Sequence, residues 1–131
     1  MYEVSVEAIF SASHRVRLGD GTLEPLHGHD WRVTVIFAGP SLDETGILVD
    51  FEAASRKLDE VVRRLHHTDL NDNPLLRGAN PSAEHVARSI FDALREDDAL
   101  ARRLTRVTVT EAPGCSASYL VGPADSVRPG P

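Results

Sequence analysis

The segment Tyr2-Glu-Val-Ser-Val-Glu-Ala-Ile-Phe-Ser-Ala-Ser-His14 alternates residue by residue. Val4, Val6, Ala8, Phe10 and Ala12 share one side, Glu3, Ser5, Glu7, Ser11 and Ser13 the other, with only Ile9 out of step. A period of two over this length predicts a long, half-buried strand. Residues 15–26 carry Gly19-Asp-Gly21 and Pro25 and read as a loop. Alternation then resumes, with Trp31, Val33, Val35 and Phe37 on one side and Asp30, Arg32 and Thr34 on the other, until Gly39-Pro40 ends it. Two strands joined by such a loop pair antiparallel.

Two helices follow. Asp50 is a fitting N-cap for a helix whose apolar face is Phe51, Ala54, Leu58, Val61 and Leu65. Asn80-Pro81-Ser82 opens the second, with Val86, Ala87, Ile90, Phe91 and Leu94 as its stripe. His66 to Pro74 is a polar connection, and Glu96 to Asp98 reads as a helix end. Residues 105–111 alternate with Val107 and Val109 inward, and Pro113-Gly114 turns the chain into a last strand near 116–121. The expected architecture is α+β: an antiparallel four-stranded sheet in ββααββ order with both helices on one face. Residues 1–121 form one domain, and the Pro/Gly-rich stretch 122–131 reads as a disordered tail.

Composition narrows the function. A length of 131 residues fits one domain, and no apolar run is long enough for a membrane span. A net charge of -6 argues against a nucleic-acid or anionic-membrane surface. A lone cysteine, Cys115, excludes a disulfide framework and a cysteine-rich zinc module, and makes a reduced, cytoplasmic setting the expectation. Cys115 itself reads as a small residue opening the last strand.

The inward face of the first strand ends at His14, and that of the second begins at His27 and His29. Because side chains alternate, His-x-His points both rings to one side. Strand pairing then brings all three histidines to one end of the sheet. Three neutral imidazoles suit zinc and leave one of its four positions open for chemistry. On the third strand the inward series Val107, Val109 arrives at Glu111. Either Ala112-Pro113 already carries it out of the sheet, or it is an acceptor for a ligand presenting two parallel N–H donors.

Phe10-Ser-Ala-Ser-His14, His27-Gly-His29, Gly46-Ile-Leu-Val-Asp-Phe51, Leu70-Asn-Asp72, Asn80-Pro-Ser-Ala-Glu84 and Glu111, in this order, resemble the 6-pyruvoyl-tetrahydropterin synthase family, which includes the 6-carboxytetrahydropterin synthases. The resemblance spans about residues 2–121. It implies the T-fold, a homo-oligomer (a trimer, or a hexamer of two trimers) and a pterin-like substrate of the dihydropterin class. It implies zinc on His14, His27 and His29, a pterin anchored by Glu111, and a hydroxyl near the pterin at Ser82. His67 matches the histidine of the family's catalytic Asp-His pair.

Two positions depart from that pattern. Leu23 stands where the family has its cysteine base, and His66 where it has the aspartate. The standard lyase activity is therefore expected to be altered or lost. Asp69 is a neighbouring carboxylate without an assigned role. A branch of the family uses a glutamate and releases a 6-hydroxymethyl pterin. Glu24-Pro25-Leu26-His27 echoes its motif with the carboxylate one position closer to the histidine. A loop absorbs such an offset, whereas a strand turns the side chain away, so Glu24 is either the replacement base or an exposed loop residue. A non-catalytic pterin- or purine-binding homologue is the alternative. His85, Arg15 and Arg17 read as solvated.

Overall fold

The structure, a computed structural model, describes residues 1–121. The expected tail, 122–131, lies outside the described residues. Strand β1 runs Tyr2–His14 and β2 runs His27–Gly39. They pair antiparallel along their whole length, from Tyr2 opposite Gly39 to His14 opposite His27. Helix α1 spans Phe51–Arg63 and α2 Ala83–Leu94, with a short α3 at Asp98–Ala101. Strands β3, Leu104–Ala112, and β4, Cys115–Leu120, complete a four-stranded antiparallel sheet in the order β1-β2-β3-β4. Pro113 and Gly114 make the last hairpin turn. Gly114 takes a φ of +81°, which a side chain would strain.

One face of the sheet carries the helices, α1 against β1 and α2 against β3 and β4. The alternation expected of the sequence is what this layering requires. Phe10, Trp31, Val33, Val35, Phe37, Val107 and Val109 are buried beneath the helices, with Ala54, Leu58, Val61, Ile90, Phe91 and Leu94 above them. Each large apolar side chain removed from water contributes about 1.5–3 kcal/mol. Trp31 sits at the centre of this layer, stacked on Phe10 with ring centroids 5.8 Å apart. Its indole N–H donates to the Ala12 carbonyl at 3.2 Å.

Three expectations are corrected. Phe51 is 57% exposed rather than part of the buried face of α1, because at the first helical position it lies before the turns that reach the sheet. It lines an apolar cavity of about 520 Å³ with Tyr2, Leu42 and Ile47. The segment Glu96 to Asp98 is more than a helix end: Asp97 accepts from the Leu100 N–H and starts α3. The connection 66–74 is also more than a polar loop. Asp69 and Asn73 cap two single-turn 3₁₀ helices, Leu70–Asp72 and Pro74–Leu76.

That connection also covers part of the outer edge of β1. The Ser11 N–H donates to His66 Nδ1 at 3.0 Å, the His67 N–H to the Ser11 carbonyl at 2.6 Å, and the Ser13 N–H to the Thr68 carbonyl at 3.1 Å. Edge groups that would otherwise seek another chain are thereby satisfied near His14. No helix among the described residues is long and apolar enough to cross a membrane.

Candidate metal centre

His14 closes β1 and His27 opens β2 as its direct cross-strand partner, with His29 opposite Ala12 two residues further along. The register therefore fixes three imidazoles at one end of the sheet. Their ligand nitrogens lie within 4.8 Å of one another. Trp31, next on the same face of β2, forms the floor, edge-on to His14 and His29 with centroids 4.9 and 5.4 Å away.

The hydrogen bonds decide which nitrogens face inward. His14 Nδ1 is 2.8 Å from the Pro81 carbonyl, and His27 Nδ1 is 2.8 Å from the Pro25 carbonyl. A carbonyl only accepts, so both Nδ1 atoms carry the proton and both neutral rings present a bare Nε2. Those two nitrogens are 3.1 Å apart. The buried His29 Nε2 has no hydrogen-bond partner among the described residues. Glu111 adds an oxygen 3.1 Å from His14 Nε2 and 3.7 Å from His29 Nε2. Lone pairs this close repel unless a proton or a metal cation lies among them.

The donor set fits zinc: three imidazoles, two of them (His14 and His27) oriented through their second nitrogens, as metal-bound histidines commonly are. Burial pushes the His29 imidazole below its usual range, with His14 and His27 adding to the effect against the opposing pull of Glu111 and Glu24. A lowered value favours the neutral ring, the form that binds a metal.

Glu24 turns into the cluster. It sits on the 15–26 loop, not on a strand. One oxygen accepts from the Val16 N–H at 2.9 Å and stands 3.7 Å from His27 Nε2 and 3.9 Å from His14 Nε2. Glu111 also points inward. The β3–β4 register shifts between Thr110 and Ala112, and this irregularity re-aims Glu111 at the strand end. The site thus brings together His14, His27, His29, Glu24 and Glu111.

The other sequence candidates lie around it. A cavity of about 760 Å³ beside the cluster is lined by Ile9, Gly28, His29, Thr110 and Glu111 among others. His67 lines a second, of about 560 Å³, which shares Gly28, His29 and Asp30 with the first. Its backbone is left-handed, with φ at +59°, where it reaches the β1 edge. Ser82 caps α2, its hydroxyl accepting from the His85 N–H at 3.2 Å. Asp69 accepts from the Asn71 N–H, His85 is exposed, and Leu23 faces solvent at 43% exposure. Cys115 starts β4 as an exposed free thiol. The sequence reading missed the Pro25 and Pro81 carbonyls that orient the rings, since any residue supplies a carbonyl.

Comparison with known proteins places these features in context. A family model described as 6-pyruvoyl tetrahydropterin synthase matches residues 3–121. The chain is 31% identical over 101 residues to a putative 6-carboxy-5,6,7,8-tetrahydropterin synthase of Archaeoglobus fulgidus, covering 77% of this chain and 83% of that protein. It is 31% identical over 90 residues to a dihydroneopterin monophosphate aldolase of Pyrococcus furiosus, covering 69% and 72%. Among solved structures, the 6-pyruvoyl tetrahydropterin synthase of Caenorhabditis elegans shares the fold at a TM-score of 0.76 and 22% identity, covering 93% of this chain and 98% of that one.

Proposed function

The chain belongs to the 6-pyruvoyl tetrahydropterin synthase family, and from that premise we propose that it is a zinc-dependent enzyme acting on the side chain of a dihydropterin, with Glu24 as the proton-transferring group. The observation that carries this reading is the direction of Glu24, whose carboxylate oxygen stands 3.7–3.9 Å from two of the three candidate ligand nitrogens. Leu23 has no acid–base chemistry, and His66 Nδ1 is already engaged by the Ser11 amide. The family's cysteine base and its aspartate are thus both without a counterpart here, which argues against the standard elimination reaction.

His14, His27 and His29 would hold the metal. Zinc in that position supplies Lewis-acid polarisation of side-chain hydroxyls. Glu111 anchors the pterin by accepting two ring N–H groups, and the 760 Å³ cavity beside it is of the size that takes a small bicyclic ligand. Glu24 then takes the proton of a side-chain hydroxyl as the neighbouring C–C bond breaks, and returns a proton to the carbon left on the ring. The products are an aldehyde and a 6-hydroxymethyl dihydropterin. His67 lines the adjoining 560 Å³ cavity, and Ser82 is the hydroxyl that the family resemblance places near the ring. The reading includes a homo-oligomer, trimer or hexamer, since among the described residues the covered edge of β1 stops at Ser11 and leaves the half toward Tyr2 open for another strand.

The test is incubation of the zinc-loaded protein with dihydroneopterin and its phosphates, with products separated by chromatography. A 6-hydroxymethyl product is expected. Glu24→Gln should lower kcat by about 10²–10⁴-fold, the usual worth of a general base, with zinc content unchanged. Triphosphate elimination insensitive to Glu24→Gln would overturn the assignment of Glu24. Tight pterin binding without turnover would make the protein a binding homologue instead.

A further inference from the structure

Asn71 in Leu70-Asn-Asp72 and Asn80 in Asn80-Pro-Ser-Ala-Glu84 are left unused by the proposed chemistry. Each motif places its asparagine against the chain just beyond β1. The Arg15 N–H donates to Asn71 Oδ1 at 2.8 Å, and Asn71 Nδ2 donates back to the Arg15 carbonyl at 2.9 Å. Two residues on, the Arg17 N–H donates to Asn80 Oδ1 at 2.8 Å, and Asn80 Nδ2 returns a bond to the Arg17 carbonyl at 3.1 Å. A side-chain amide is a peptide group without its chain. Satisfying both polar groups of one residue reproduces the paired bonds of an antiparallel ladder. The two amides therefore continue the edge coverage of β1 past its end, where no strand is available.

The opposite side of the same segment holds the site. Between the clamped residues, the Val16 N–H donates to the Glu24 carboxylate at 2.9 Å, and the Val16 carbonyl accepts the Glu24 N–H at 3.1 Å. On the N-terminal side lies His14, whose Nδ1–H is held by Pro81, the residue after Asn80. Residues 14–17 thus form a ribbon with the asparagines on one side and the candidate base on the other. Displacing the ribbon moves a ligand and the carboxylate together.

We infer that Asn71 and Asn80 are positioning residues, which set the place of His14 and Glu24 by clamping the backbone of Arg15 and Arg17. The inference rests on the reading of the histidines as metal ligands and of Glu24 as the base. Neither asparagine is a candidate ligand or lines the two cavities beside the cluster. Asn73 is the natural control: it is buried in the same connection and bonds to Arg64, Thr68 and Leu75, but its side chain makes no hydrogen bond to residues 14–17 among those described.

Cobalt(II) serves as the probe. Its affinity is measured by competition with a chelator, and its visible spectrum reports the coordination geometry. Asn71→Ala and Asn80→Ala should each weaken cobalt binding about 10- to 100-fold, the usual cost of losing an orienting partner, and change the spectrum. Asn73→Ala should lower Tm while affinity and spectrum stay unchanged. Asn71→Asp and Asn80→Asp keep the acceptor for the Arg15 and Arg17 N–H groups; they should recover part of the loss and stand in if the alanine variants do not fold. A second readout needs no metal: the imidazole Nδ1–H resonance of His14, protected from exchange in the native protein, should be lost in the alanine variants. Failure of the native protein to take up cobalt would refute the metal reading and leave the clamp to be decided by that resonance. Affinity, spectrum and resonance all unchanged in the alanine variants would overturn the clamp.

Discussion

His14→Ala is expected to abolish the gain in stability that zinc gives the native protein. A ligand at a thousandfold excess over its Kd stabilises the folded state by about 4 kcal/mol, which for a chain of this size raises Tm on the order of 10–20 °C. The variant should show no such rise, because two imidazoles remain and the Nδ1–H that Pro81 receives is gone. Without zinc the two proteins should differ far less. Leaving the Pro81 carbonyl without its donor costs about 1–3 kcal/mol, but removing one ring also relieves the crowding of bare nitrogens 3.1 Å apart. Thermal melts of both proteins with and without zinc, together with metal analysis, make the comparison. A zinc-dependent rise in the variant equal to that of the native protein would remove His14 from the ligand set.

Trp31→Ala should produce a large loss of intrinsic stability. Truncating a fully buried Trp or Phe costs about 3–5 kcal/mol through lost transfer energy and the cavity left behind. Trp31 also gives up its stacking on Phe10, and the Ala12 carbonyl loses a donor. Trp31 is the floor of the histidine cluster as well, so metal affinity should fall with stability. Phe91→Ala separates the two effects, because Phe91 is equally buried but packs against Tyr119 at the far side of the sheet. Chemical denaturation should show comparable losses for the two variants, and metal titration a loss for Trp31→Ala alone. Equal metal affinities would mean that the rings hold their places without the indole beneath them.

The residues that alternate on strands were legible in the sequence, and so were the consequences of their register. Period two along β1 and β2 was enough to put His14, His27 and His29 on one face, since a strand leaves a side chain only two directions. Glu111 was half legible. Parity pointed it inward, but whether the strand persisted to residue 111 depended on an irregularity that no local pattern announces. Glu24 was not legible, because a loop has no period and its direction came from the Val16 amide. The same holds for Phe51, whose helical spacing was right but whose turn lies outside the packed layer. His66 looked like a lost aspartate, yet its ring accepts the Ser11 amide. For Glu24, His66 and the orientation of two rings, what the sequence withheld was the work of backbone carbonyls and amides, which carry no side-chain signature.

The pairing of β2 with β3 bears on how the chain reaches this structure. The sheet is two hairpins, β1–β2 and β3–β4, each closed by a connection of modest length, joined along a seam that brings Ile36 to Thr105. Closing that seam is the step with the greatest loop entropy, because all three α-helices lie within the intervening chain. All three histidines belong to the first hairpin and Glu111 to the second. The nitrogen half of the cluster is therefore encoded by neighbours in sequence, whereas the Glu111 carboxylate that faces it arrives only when the seam closes. A chain with the seam open keeps its three imidazoles close together and lacks the carboxylate that completes the cluster.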